Sequence, residues 1–317
     1  MQLIRFIRVF IIASAAQLAW INGAGAFTCY DANGNILNSV AGSGTANVYV
    51  NLQPSVSVGQ NLVVDLSKSI FCRNDDPLVR NDLVSMLKGS AYGGVLANFS
   101  GTMRYYGSSY PFPLGSQTGT RNFTSGTYSG WNTQLYLTPL SSAASAAGGI
   151  AINSGTMFAQ LVMYQVGSNI IGGGGINTAT FTWNIYAKNS VVVPTGGCDV
   201  SARNVTVTLP EYPGNAVAVP LSVHCGENQR ISFYLNGRTA TRTDTFANTF
   251  SGTTAASGVG IQLLRSGRAI PVNQNISLGT VGTSPVSLGL TANYARTSGQ
   301  VTAGGVQSII DLNFVYD

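Results

Sequence analysis

Ala46-Asn-Val-Tyr-Val-Asn-Leu52 alternates without a break. Val48, Val50 and Leu52 fall on one face and Asn47, Tyr49 and Asn51 on the other, the period of a strand buried on one side. Working outward, residues 61–66 and 70–72 continue in short strand-like pieces, and 95–99, 101–105, 133–137, 157–164 and 179–186 are further strand candidates. The segments between them are rich in Gly, Ser and Pro, and no amphipathic helix of ordinary length stands out. Many short strands with turn residues between them predict an all-β sandwich or barrel. Residues 141–149 and the four glycines 172–175 read as surface loops. The glycine run is not a phosphate cradle, because no Lys-Ser/Thr and no helix follow it.

At 317 residues the chain is comfortable for two domains. Val191-Val-Val-Pro-Thr-Gly-Gly197 reads as the boundary, since Pro followed by Gly-Gly is hard to place inside a central strand. That gives a first domain at 27–193, a linker at 194–197 and a second domain at 198–317. The second begins with another alternation, Val205, Val207 and Leu209 against Thr206 and Thr208. It continues through 219–225, 231–235, 260–264, 286–293 and 307–316, about the strand number of an immunoglobulin-like sandwich. The last run, with Ile310, Leu312, Phe314 and Tyr316 on one face, ends at the carboxyl terminus. A sheet short of a partner strand leaves an aggregation-prone edge unless something covers it.

Residues 1–26 have the form of a secretory signal: Arg5 and Arg8, a mostly apolar run over 9–20, and the small residues Ala24-Gly25-Ala26. The apolar run is too short to span a membrane, so the mature chain is expected to start at Phe27, exported and soluble. Loss of the signal leaves fourteen basic against eleven acidic side chains. That excess is mild and forms no basic run, which argues against nucleic acid and anionic membranes as partners. The four cysteines, in an exported chain, read as two disulfides with three possible connectivities. The wide gap after Cys72 favours Cys29–Cys72 and Cys198–Cys225. Zinc is disfavoured by a single histidine and the lack of a C-x-x-C.

The chemistry is concentrated in Cys72-Arg-Asn-Asp-Asp-Pro-Leu-Val-Arg-Asn-Asp82. Between residues 27 and 197 there are only five carboxylates, and Asp75, Asp76 and Asp82 are three of them. Nucleophilic catalysis lacks a base, because the lone His224 sits beside Cys225, far in sequence from the acids. Asp75 and Asp82 could form a glycosidase pair only at a separation that sequence does not give. Calcium would find oxygen donors in Asn74, Asp75, Asp76, Asn81 and Asp82, but without EF-hand spacing and with Pro77 interrupting the run. Sugar hydroxyls suit the composition best. They are donor and acceptor at once, ionised Asp accepts, and Asn and Gln do both. A free amine at Phe27, two residues from Cys29, would add donors. The plain alternative is that these acids only cap turns.

Several stretches carry a resemblance to the FimH-type tip adhesins of bacterial type 1 pili: Phe27-Thr-Cys29, 46–52, 58–66, Gly89-Ser-Ala-Tyr-Gly-Gly-Val95, Ser108-Ser-Tyr-Pro-Phe-Pro113, Trp183-Asn-Ile-Tyr186, 191–198 and Gly289-Leu-Thr-Ala-Asn-Tyr-Ala-Arg296. The resemblance implies an all-β chain of two β-sandwich domains. The first is an N-terminal lectin domain and the second a C-terminal incomplete immunoglobulin-like pilin domain lacking its last strand. It implies no enzyme activity, no cofactor and no metal. The implied partners are host cell-surface glycans, a periplasmic pilus chaperone, the adjacent pilus subunit and the outer-membrane usher, with export through the periplasm to the pilus tip. Strand donation at an open edge attaches such a subunit, and the linker is where the two domains would couple.

By the same resemblance the sugar-binding residues are Phe27, Asn74, Asp75, Asp82 and Gln165, with Asn169, Asn177 and Phe181 on the later hairpin. Here the family's loop acid falls on Asn177, and its two nearby phenylalanines on Ala179 and Phe181. The aromatic rim is replaced by Asp76, Arg80 and Ile170 or Ile171. The expected ligand is a terminal mannose. A galactose-type sugar is the alternative, and a structural pilin with a degenerate site is the rival from another class.

Overall fold

The computed structural model describes residues 27–38, 42–140 and 147–317; the signal-like segment lies outside them. Among the described residues strands dominate, with two single-turn helices, at Leu66–Lys68 and Gly94–Leu96. The described residues bury two hydrophobic clusters. One draws on residues from Phe27 to Val193, and the other on residues from Cys198 to Phe314 with Ala147 added.

The first sandwich rests on a sheet in the order Arg121–Phe123, Arg80–Met86, Met157–Asn169, Asn177–Ala187, Gly44–Val50. Gly44–Val50 joins it in parallel, and its alternation does what the sequence predicts: Val48 and Val50 are buried, Asn47 and Tyr49 exposed. The opposing sheet runs Ser108–Phe112, Gly101–Tyr105, Thr133–Leu137, Gln60–Asp65, Ser55–Ser57. Between them lie Trp131 and Trp183, both fully buried with ring centroids 6.2 Å apart. A smaller sheet, Ser129–Gly130, Ile70–Asn74, Phe27–Asp31, Ile36–Asn38, closes one side.

Cys29 and Cys72 face each other in that smaller sheet and are bonded, as are Cys198 and Cys225 in the second domain. Each closes a loop of tens of residues, with a separation of 43 for the first, so each is worth about 4 kcal/mol in the chain-entropy model. Replacing Cys29 and Cys72 together by alanine is expected to lower unfolding free energy by about 2–5 kcal/mol. Urea denaturation checks this, and an unchanged midpoint would contradict it.

Four expectations need correction. Residues 95–99 form no strand. Gly94 takes φ +54° and the chain tightens into a helical turn, with the Leu96 and Ala97 amides bonding back to the carbonyls of Gly93 and Gly94. A Cβ at Gly94 would lie 2.5 Å from the Met157 carbonyl oxygen, so glycine is required there. Residues 286–293 are not one strand but two, Val286–Ser287 and Leu290–Arg296, which join different sheets across Gly289 at φ +63°. Residues 205–209 pair with no strand at all. Gly149, read as loop, opens the strand Gly149–Ile152, which pairs with Val191–Pro194 in a two-stranded sheet. Pro194 sits at the end of an edge strand, where a missing N–H costs nothing.

The stretch after it is tied down. The buried Asn61 amide donates to the carbonyls of Pro194 (2.9 Å) and Gly196 (2.7 Å). The Gly197 amide donates to the Tyr316 hydroxyl (2.6 Å).

Candidate functional site

At one end of the first sandwich four neighbouring strands place their side chains in rows. Phe123, Asp82, Gly167 and Asn177 stand opposite one another across four strands, and Arg80 faces Asn169 one row further out. One row inward, Gln165 stands opposite Val84 and Ala179. Phe27 pairs with Asn74 in the smaller sheet. Its ring packs edge-on against Phe123 (centroids 5.1 Å apart) and lies 5.9 Å from Phe181. The disulfide two residues along holds this corner together.

Phe27, Asn74, Asp82, Gln165 and Phe181 thus converge, and each is fully buried. Gln165 Nε2 donates to Asp82 Oδ1 (2.7 Å), leaving Asp82 Oδ2 and Gln165 Oε1 buried with no partner among the described residues. Buried polar atoms left unpaired cost about 1–3 kcal/mol each, so two of them side by side mark a place where a ligand's hydroxyl hydrogens fit.

The other sequence-derived residues have work of their own. Asn74 organises the loop: Nδ2 donates to the carbonyls of Arg80 (2.8 Å) and Phe123 (2.9 Å), and Oδ1 accepts from the Asp76 amide (2.8 Å). Asp75 turns toward its own sheet, accepting from the Thr28 hydroxyl (2.5 Å) and Arg73 Nε (2.7 Å). Asn169 and Asn177 are both held by the Arg80 guanidinium.

Arg80 and Gly167 are the residues sequence reasoning missed. Arg80 was legible only as a departure from the family's rim, and Gly167 gave no signal. Outside the pocket, Leu78 and Ile171 are about nine-tenths exposed. The Ile170 amide donates to the Val79 carbonyl (2.8 Å), joining the two loops. Among the described residues no three His, Cys, Asp or Glu side chains are grouped to hold a metal.

Burial pushes the Asp82 carboxyl up to about 7, against the Gln165 hydrogen bond and the Arg80 charge that pull it down; Asp75 adds a smaller upward push. A carboxyl raised in this way holds its proton in the folded chain where the unfolded chain has lost it, from about pH 4 to 7. Stability from this group is present below that window, falls as pH rises through it and is level above. Asp82→Asn is expected to remove this slope. Urea unfolding of both chains at pH 4.5 and 7.5 checks it, and identical pH dependence would contradict it.

The second domain carries a different feature. Ile310–Tyr316 pairs with Gln229–Gly237 on one side and ends its sheet on the other. Residues 205–209 run extended nearby, with Val205, Val207 and Leu209 half-buried against the second core. Between them lies a cavity of about 990 Å³ lined by Val205, Leu209, Leu263, Ala292, Leu312 and Phe314 among others. An apolar slot flanked by chain with unused backbone groups is shaped for an added β-strand.

The first sandwich thus holds buried acid and amide oxygens without partners, and the second domain holds a cavity beside a strand that ends its sheet. The family described as FimH, mannose binding, matches residues 29–184, and the family described as fimbrial protein matches residues 185–317. The chain is 53% identical over 309 residues to the type 1 fimbrin D-mannose specific adhesin of Escherichia coli strain K12, covering 98% of this chain and 99% of that one. It is 36% identical over 286 residues to the S-fimbrial protein subunit SfaH of Escherichia coli O6:K15:H31 strain 536, covering 87% and 93%. Among solved structures, the CupB6 tip adhesin from Pseudomonas aeruginosa covers 92% of this chain and 94% of its own at 14% identity and a TM-score of 0.31, too slight a likeness to argue from. The chain belongs to the FimH family of fimbrial tip adhesins.

Proposed function

We propose that this chain is a pilus tip adhesin that binds terminal mannose on host glycoproteins and has no enzymatic activity. The observation that carries it is the pair of unpartnered buried acceptors, Asp82 Oδ2 and Gln165 Oε1, at the end of the sandwich. In this reading both accept hydroxyl hydrogens from the sugar, and Asn74 keeps the loop in place. Asp75 supports the corner, and Phe181 and Phe27 form the apolar wall. Signal cleavage before Phe27 adds an ammonium donor. Asn169 and Asn177 contribute the hairpin side of the pocket. The kinship with a D-mannose specific adhesin supports mannose over other hexoses.

The domain boundary falls at 194–197. A periplasmic chaperone fills the second-domain slot first, and the amino-terminal extension of the adjacent pilus subunit then replaces it at the outer-membrane usher. The finished protein stands at the pilus tip on the bacterial surface.

A galactose-type ligand is the second reading, favoured because Asn177 is neutral and already bonded to Arg80. Binding of the mature chain to a panel of immobilised glycans tests both. Retention on terminal mannosides, competed by methyl α-mannoside, is expected. Retention on galactosides alone selects the second reading, and retention on none leaves a structural subunit.

A further inference from the structure

Arg80 stands two residues before Asp82 on the same face of Arg80–Met86, at the mouth of the pocket. Its Nη1 donates to Asn169 Oδ1 (2.9 Å), and its Nη2 donates to the Gly175 carbonyl (2.9 Å) and to Asn177 Oδ1. One side chain thus ties both arms of the hairpin loop, residues 169–177, to a neighbouring strand. Space for it comes from Gly167. A Cβ there would lie 2.9 Å from Arg80 Nη2 and 2.7 Å from Gln165 Nε2, and would collide with Asn177 Oδ1. A side chain at 167 would crowd all three of these side-chain ends. Arg80 Nε is buried without a partner among the described residues, like the two acceptors of Asp82 and Gln165.

We propose that Arg80 is a ligand-binding and loop-positioning residue of the sugar site, clasping the hairpin with its two Nη groups and donating Nε–H to an oxygen of a neutral hexose. This rests on the proposed function above and goes beyond it by naming a donor, two residues along the same strand from Asp82, to complement the two acceptors. A guanidinium binds carboxylate, sulfate or phosphate through two parallel N–H groups. Here both Nη2 hydrogens and one of Nη1 are committed to the loop, so neither fork of the guanidinium has its two N–H groups free, and Nε–H stands alone. A single donor matches a hydroxyl or ring oxygen, whereas an anionic group would meet no free fork and would stand near the Asp82 carboxylate. The hydroxyl that accepts from Arg80 Nε can pass its own hydrogen to a neighbouring acceptor, as vicinal hydroxyls of a pyranose do.

The test uses the full mature chain and its R80A and R80K variants, titrated with methyl α-mannoside, its monodeoxy analogues and methyl α-glucuronide. Amide exchange of residues 168–177 is followed in parallel, and exchange elsewhere in the chain reports that each variant is folded. R80A is expected to lose at least tenfold in affinity and to exchange faster in 168–177. R80K keeps the charge but lacks the fork, and is expected to do the same. One deoxy analogue should bind the parent at least tenfold more weakly than the full sugar, yet bind R80A no worse than the full sugar does. Losses that add for every analogue would overturn the contact, and unchanged exchange in 168–177 would overturn the clasp. Tighter binding of the glucuronide than of the mannoside would overturn the neutral ligand class. If the parent binds none of these sugars, the proposed function fails, while the exchange of R80A still decides the clasp.

Discussion

Asp82→Ala is expected to abolish mannose-inhibitable cell agglutination, lowering affinity for a terminal mannoside at least a hundredfold while leaving export intact. Asp82 is fully buried, and one of its oxygens has no partner within the protein. A hydrogen bond to a charged acceptor out of water is worth about 1.5–3 kcal/mol. Alanine removes both oxygens and also strips Gln165 Nε2 of its acceptor, so the amide is free to turn out of position. Asp82→Asn is the companion that keeps the shape. Its amide can still bond Gln165, so the fold is preserved and only the charged acceptor is lost. Agglutination by either variant at parental level would remove Asp82 from the site.

A chain carrying one extra glycine before Phe27 is expected to bind at least a hundredfold more weakly than one beginning at Phe27. The Phe27 ring is wedged between Phe123 and Phe181, and its backbone is paired with Asn74 beside the disulfide. These contacts fix the Phe27 nitrogen, so a chain that starts there delivers its ammonium to one place. An added residue turns that nitrogen into an amide and moves the charge by about one Cα step, roughly 3.8 Å. Mass spectrometry verifies each amino terminus before titration with methyl α-mannoside. Equal affinity would show that the amine takes no part.

How much of this was legible depended on whether the sequence pattern and the hydrogen bonding had the same cause. Residues 44–50 alternate because one face is buried and a strand lies alongside, so pattern and ladder agree. Gly101–Tyr105 and Thr133–Leu137 were readable to the residue for the same reason. Residues 205–209 alternate as cleanly, yet form no ladder, because periodicity records which side chains face a core and says nothing of a partner strand. At 95–99 and 286–293 local glycine geometry overrode an apolar run.

In the site, the concentration of acids and amides was readable as composition. What separated Asp82 from Asp75 was not. Asp82 lies on the inward phase of a strand, whereas Asp75 follows the end of one and turns back to Thr28 and Arg73. The role of Arg80 was hidden because it depends on a missing side chain at Gly167, on the neighbouring strand of the sheet but far away in sequence.

The central claim is that the buried end of the first sandwich holds one sugar ring. A crystal structure of the mature chain soaked in methyl α-mannoside tests it most directly. The account predicts the ring inside the pocket, with hydroxyl oxygens within about 3 Å of Asp82 Oδ2 and Gln165 Oε1, in the range of a direct hydrogen bond. A ring bound elsewhere, or a pocket left to water at saturating sugar, would contradict it.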